Sequence, residues 1–101
     1  MKVFISQPMN GRTEDEILNE REEICKTFNI TKDELIDSYE KDFGQFKNYN
    51  RINVGYLGDS IRLLGYSDLV IFAPYYDRAR GCRIEHMVCE EYGIPYIYCE
   101  A

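Results

Sequence analysis

Glu85 lies in the segment Gly81-Cys82-Arg83-Ile84-Glu85-His86-Met87-Val88-Cys89-Glu90-Glu91-Tyr92. At helical spacing, positions 81, 85, 88, 89 and 92 share one face. Val88, Cys89 and Tyr92 read as core contacts on that face. Glu85 is therefore expected one turn earlier, at the edge of the core. Burial there raises a carboxyl pKa, whereas Arg80, Arg83 and the helix N-terminus lower it. A carboxylate held ionised in a dry pocket suits nucleophilic attack or the binding of sugar hydroxyls. A structural ion pair with a neighbouring arginine is the simpler alternative.

Two polar loops accompany it. Ser6-Gln7-Pro8-Met9-Asn10-Gly11-Arg12 offers a hydroxyl, two amides, a guanidinium and a glycine that lets backbone approach a ligand. The other runs from Pro74 to Gly81 and carries Tyr75, Tyr76, Asp77, Arg78 and Arg80. Its tyrosines can stack on a base or donate a proton. Neither loop matches the GxGxxG or P-loop pattern, which argues against a dinucleotide or ATP site. No cofactor is expected. His86 has Cys82 at i−4 and Cys89 at i+3, so a Cys/His metal site is conceivable. No fourth ligand stands at a recognised spacing, and no metal is expected. Capping or packing is the simpler role for His86.

The surrounding pattern supplies the elements that must position these groups. Val3-Phe4-Ile5 centres a first strand over Lys2 to Ser6. Thr13 and Glu16 have capping-box spacing, and Glu14 and Asp15 suit the first turn of a helix running to about Phe28. Glu34 to Tyr39 reads as a weaker strand, and Glu40 to Asn53 as a long loop. A helix over Val54 to Tyr66 carries Leu57, Ile61 and Leu64 as its apolar stripe. Leu69 to Ala73 is a continuous apolar run, the pattern of a parallel strand buried on both faces. The third helix follows over Gly81 to Tyr92, with Gly93 as its stop. Ile94 to Cys99 forms the last strand.

Strands alternating with helices predict a parallel sheet of about four strands in one domain, residues 1–101. In such sheets ligands bind beyond the carboxyl ends of the strands. That rule selects the loops after the first and third expected strands, both leading into helix N-termini that favour anions. It also places Asp68 at the opposite, N-terminal end of its strand.

The totals agree with this frame. The chain has 101 residues, of which 45% are hydrophobic, enough for one packed core. A net charge of −6 argues against binding a nucleic-acid polymer, which needs surplus cations against phosphate. Arg78, Arg80 and Arg83 still provide local positive charge for a small phosphorylated ligand. No apolar run approaches a membrane span and no signal-peptide pattern is visible, so a cytoplasmic location is expected. Cys25, Cys82, Cys89 and Cys99 lack Cys-x-x-Cys spacing and are expected as reduced thiols. So thin a sheet invites a second copy to cover it, and a homodimer or higher homo-oligomer is the default.

Three segments together resemble a known family. They are Val3-Phe-Ile-Ser-Gln-Pro-Met-Asn-Gly-Arg12, Ser67-Asp-Leu-Val-Ile-Phe72 and Gly81-Cys-Arg-Ile-Glu-His86 with Tyr92-Gly-Ile-Pro95. The chain resembles small bacterial and phage proteins related to the nucleoside 2-deoxyribosyltransferase superfamily. The resemblance implies a flavodoxin-like three-layer sandwich, commonly assembled from dimers. It implies Glu85 as the nucleophile at the anomeric carbon of a nucleoside or nucleotide, and Asp68 as a second carboxylate of the substrate site. By the same likeness, Ser6, Gln7, Met9, Asn10, Gly11 and Arg12 embrace sugar and base. Tyr75, Asp77, Arg80, Gly81 and Arg83 belong to the second loop and the helix start. The short, arginine-bearing interval from Asp68 to Glu85 suggests a phosphorylated ligand. The expected activity is N-glycoside hydrolysis or deoxyribosyl transfer. The alternative is a non-catalytic nucleotide sensor or sequestering protein.

Overall fold

The computed structural model describes residues 1–39 and 44–100. The element order is β1 (Val3–Ser6), α1 (Glu14–Thr27), α2 (Ile52–Leu64), β2 (Leu69–Phe72), α3 (Arg80–Tyr92) and β3 (Tyr96–Tyr98). A 3-10 turn over Tyr76–Arg78 joins β2 to α3. The three strands form one parallel sheet in the order β1-β2-β3.

The weak strand expected over Glu34 to Tyr39 is reduced to a single parallel bridge, Leu35 against Val3. Val3 N–H donates to Glu34 O at 2.8 Å and Ile36 N–H to Val3 O at 2.9 Å. The pairing goes no further along this polar segment. Asp37 and Ser38 instead face the Arg21 guanidinium of α1. The chain thus leaves β1 to one side through α1 and returns to its other side through α2. This reversal puts the switch in strand order at the carboxyl end of β1, where α/β sheets bind ligands.

Both faces of the sheet are covered. Val3, Ile5, Ile71 and Ala73 pack with Ile24 of α1, and Cys25 and Phe28 close the edge of that cluster. Phe4, Val70 and Phe72 pack on the other face with Leu64 of α2 and Cys89 of α3. The apolar run of β2 is buried because it is the middle strand with helices on both sides. α1 starts as its sequence dictates. Thr13 Oγ1 accepts from Glu16 N–H, and Glu16 Oε1 accepts from Thr13 N–H, closing a capping box.

Several expected bounds and contacts shift. α2 begins at Ile52, two residues before Val54, and ends at Leu64. Its Gly55 packs on Phe46 of the preceding loop, where an added Cβ would meet the ring at 2.6 Å. Tyr92 is 80% exposed rather than a core contact. The buried face of α3 is instead Cys82, Glu85 and Cys89. Gly93 takes φ 68°, the left-handed conformation that ends α3 immediately after Tyr92. Residues 40–43 of the long loop expected before α2 lie outside the described residues. Among the described residues no helix is long and apolar enough to cross a membrane.

Candidate functional site

β1 ends in Ser6, and the second turn of α3 brings Glu85 beneath it. Ser6 Oγ donates to Glu85 Oε1 at 2.7 Å. Ser60 Oγ of α2 donates to Glu85 Oε2 at 2.8 Å. Glu85 is only 6% exposed, and both of its oxygens are engaged. Burial pushes its carboxyl pKa above the ordinary range, while the two serine hydroxyls pull the other way. The arginines expected to offset its charge do not reach it. Arg80 and Arg83 are exposed, and Arg83 Nη1 donates to Asp77 O at 3.2 Å. Hydroxyls rather than guanidinium groups therefore hold this carboxylate.

Cys82 lies one turn before Glu85 and is buried. Burial pushes its thiol up to about 12, and Cys89 likewise to about 11. Neither is a thiolate nucleophile at neutral pH. All four cysteines are free. Among the described residues no three His, Cys, Asp or Glu side chains are placed to hold a metal.

The loop after β1 divides in two. Gln7 is buried and fully engaged inside the fold. Its Nε2 donates to Ile17 O and Glu20 Oε1, both at 3.0 Å, and its Oε1 accepts from Arg21 Nε at 2.7 Å. Arg12 Nη1 donates to Pro8 O at 2.9 Å and to Glu20 Oε1 at 3.0 Å. These two side chains shape the loop from behind. Met9, Asn10 and Gly11 are the exposed part, and Gly11 sits at φ 77°. Arg21 was not among the expected site residues. Its helical position marks it as a buried-face residue, but its partners come from distant parts of the chain.

A third group stands at the carboxyl ends of β2 and β3. An open pocket of about 380 Å³ is lined there by Ala73, Pro74, Tyr75, Tyr76, Asp77 and Tyr98, among others. Tyr75 adopts φ 64°, a strained conformation for a non-glycine residue, and the Arg78 guanidinium lies 4.7 Å from its ring centroid. Behind the pocket, His86 packs against Phe72, Tyr76, Tyr96 and Tyr98. His86 Nε2 is 2.8 Å from Tyr98 Oη, and His86 Nδ1 is 2.8 Å from Glu90 Oε1. The sequence pattern offered no sign of this set, because it depends on the register of β3.

Register explains how these groups relate. Ser6, Phe72 and Tyr98 lie abreast across the three strands. Alternation along each strand points all three toward the face that α3 covers. Glu85 therefore meets the β1 end of this row and His86, the next residue, meets its β3 end. Asp68 is not brought to this row. Its Oδ2 accepts from Lys2 N–H at 2.7 Å, ahead of β2 and at the opposite edge of the sheet. The strand from Val3 to Ser6 puts about 10 Å between those edges. Ser60 is the neighbour of Glu85 that sequence reasoning missed, since nothing about α2 alone aims it there. No protein-family model, curated protein or solved structure matches this chain.

Proposed function

We propose that the protein is a nucleoside or nucleotide N-glycosidase or deoxyribosyltransferase, acting at the anomeric carbon through Glu85. One observation carries this proposal: a buried carboxylate held between two hydroxyl groups at the carboxyl end of β1, beside the switch in strand order. In this reading the fold is a flavodoxin-like three-layer sandwich, with the Leu35 bridge as the remnant of a fourth strand. Sugar hydroxyls replace one serine at Glu85, freeing an oxygen to attack C1′. The C1′–N bond breaks, its electrons leave with the base, and a glycosyl-enzyme forms. Water or a second base then releases the sugar. Met9, Asn10 and Gly11 cover the sugar, Tyr75 and Asp77 face the base, and Arg80 with Gly81 at the start of α3 meets a phosphate. A cytoplasmic setting accords with the four free thiols, and a second copy of the chain completes the cover of the site.

The burial of Glu85 favours a second reading, a nucleotide-binding protein without turnover. Its carboxylate would then recognise a ribose hydroxyl and go no further.

Incubation with a panel of deoxynucleosides and their 5′-monophosphates distinguishes them. Base release that disappears in Glu85→Ala is the expected result. Nucleotide-dependent thermal stabilisation with no base release would leave the binding protein standing, because a ligand bound only by the folded state must stabilise it. Neither release nor stabilisation would remove both.

A further inference from the structure

We infer that Tyr98 is the acid that protonates the departing base, and that His86 and Glu90 recharge and position it. This rests on the N-glycosidase or transferase reading, and it supplies the group that reading lacks. A carboxylate at C1′ opens one side of the reaction only. The base must also leave, and an unprotonated purine or pyrimidine anion is a poor leaving group.

The geometry meets that need. Glu90 Oε1, His86 and Tyr98 Oη form an unbroken chain, with 2.8 Å at each link. Tyr98 is 44% exposed and lines the open pocket, so the chain ends where a ligand can sit. Carboxylate, imidazole and hydroxyl in this order make the general arrangement by which proteins move a proton at a chosen oxygen. Hydrogen bonding with Tyr76, and burial, hold the Tyr98 phenol above its usual range, so it keeps its proton until a base receives it.

Position agrees as well. Tyr98 and Ser6 occupy the two ends of one row across the sheet, two strand spacings or about 10 Å apart. That is the length of a sugar joined to a base. A sugar over Glu85 places its base toward the pocket, with Phe72 beneath and Tyr76 beside it. The groups facing His86 are Glu90 on its own helix, Tyr76 on the connecting turn, and Phe72, Tyr96 and Tyr98 on the sheet.

The step balances as follows. The step starts from the form of His86 that carries protons on both ring nitrogens, donating from Nε2 to Tyr98 and from Nδ1 to Glu90. As the C1′–N bond breaks, the Tyr98 proton passes to the base nitrogen that receives the electron pair. The His86 Nε2 proton passes to Tyr98. The imidazolium becomes a neutral imidazole, with Nδ1–H still on Glu90. When water attacks the glycosyl-enzyme, the proton it gives up returns through Tyr98 to His86. No oxidant or other co-reactant is required.

Leaving-group dependence separates this role from a structural one. Tyr98→Phe and His86→Gln are assayed on an ordinary purine deoxynucleoside and on its 7-methylated form. The methylated base departs without needing a proton. The expected result is a loss of about 100-fold or more on the ordinary substrate and less than about 3-fold on the methylated one. Thermal unfolding checks that both variants fold. Equal losses on the two substrates, or no loss on either, would overturn the acid role while leaving Glu85 chemistry intact. A wild-type protein that releases base from neither substrate would overturn both, and that outcome is separate from the first.

Discussion

Two residues, adjacent in the chain, build opposite environments at the two ends of one row of the sheet. Glu85 is closed in. Its oxygens meet Ser6 and Ser60, and burial raises its pKa. His86 is open. Its ring leans on four aromatic neighbours, and its nitrogens reach Tyr98 and Glu90 at the rim of a pocket. The difference follows from helix geometry. Successive residues are turned by about 100°, so α3 offers one side chain to β1 and the next to β3. β1 is flanked by the Leu35 bridge and by β2, whereas β3 is an edge strand with exposed residues. A single helix thus sets a buried carboxyl group, held by two hydroxyls, beside a half-buried imidazole whose partners reach solvent.

Removing the closed end should have the largest effect. Glu85→Gln keeps the shape but cannot form a glycosyl-enzyme. Base release should fall by about 1,000-fold or more, read as product formed in single turnover. Retention of more than about a tenth of wild-type release would exclude Glu85 as the nucleophile.

Removing what lies between the two ends comes next. Phe72 is fully buried, with its ring centroid 5.1 Å from Tyr76 and 5.0 Å from His86. Phe72→Ala should cost about 3–5 kcal/mol in urea unfolding. That is a large share of the stability of a domain this size, typically about 5–15 kcal/mol. The open end should loosen more than the closed one, since His86, Tyr76, Tyr96 and Tyr98 all pack on this ring. Cross-peaks of His86 and Tyr98 in NMR spectra should broaden before those of Ser6.

These contrasts show which parts of the molecule the sequence carries. β1 and β2 are legible because Val3-Phe-Ile5 and Leu69-Val-Ile-Phe72 are apolar runs of strand-forming residues, and such runs need both faces covered. Thr13 and Glu16 define the start of α1 by local chemistry alone. Glu85 was legible for the same reason: its face follows from helical spacing within one segment. Ser60, Arg21 and Tyr98 were not, because each acquires its meaning from a partner in another element. Gln7 shows the converse. As a polar loop residue it looks available to a ligand, yet Ile17, Glu20 and Arg21 engage its amide inside the fold. Asp68 obeyed strand polarity rather than the family likeness, and polarity is the physical constraint.

Ser60→Ala tests how the closed end tolerates its charge. The pKa of Glu85 is raised in the folded state, so its protonated form is the one the fold prefers. Its contribution to stability is full below the ordinary carboxyl pKa and is lost as pH rises through the folded value. Ser60 donates to the ionised form and limits that loss. Without it the pKa should rise further. Ser60→Ala should therefore cost about 1–2 kcal/mol at neutral pH and much less at acidic pH, where Glu85 is protonated in both states. Unfolding curves across that range give the slope directly. An equal cost at both ends would mean that the Ser60 bond does not depend on the charge of Glu85.

Glu90→Gln makes the matching change at the open end, and its effect on stability should be the smallest. Glu90 is 54% exposed, and solvent screens its attraction to His86. The change should stay within about 0.5 kcal/mol. The imidazole should nevertheless respond. A carboxylate can only accept, so it fixes the proton of a neutral imidazole on Nδ1 and leaves Nε2 for the Tyr98 hydroxyl. A carboxamide can accept or donate, and the choice between the two ring nitrogens is relaxed. The ¹⁵N shifts of His86 in Glu90→Gln should move toward an average of the two tautomers while the unfolding curve stays in place. Shifts that do not move would mean that the ring is oriented by its aromatic neighbours alone, and the contrast between the ends would then be one of packing rather than of proton control.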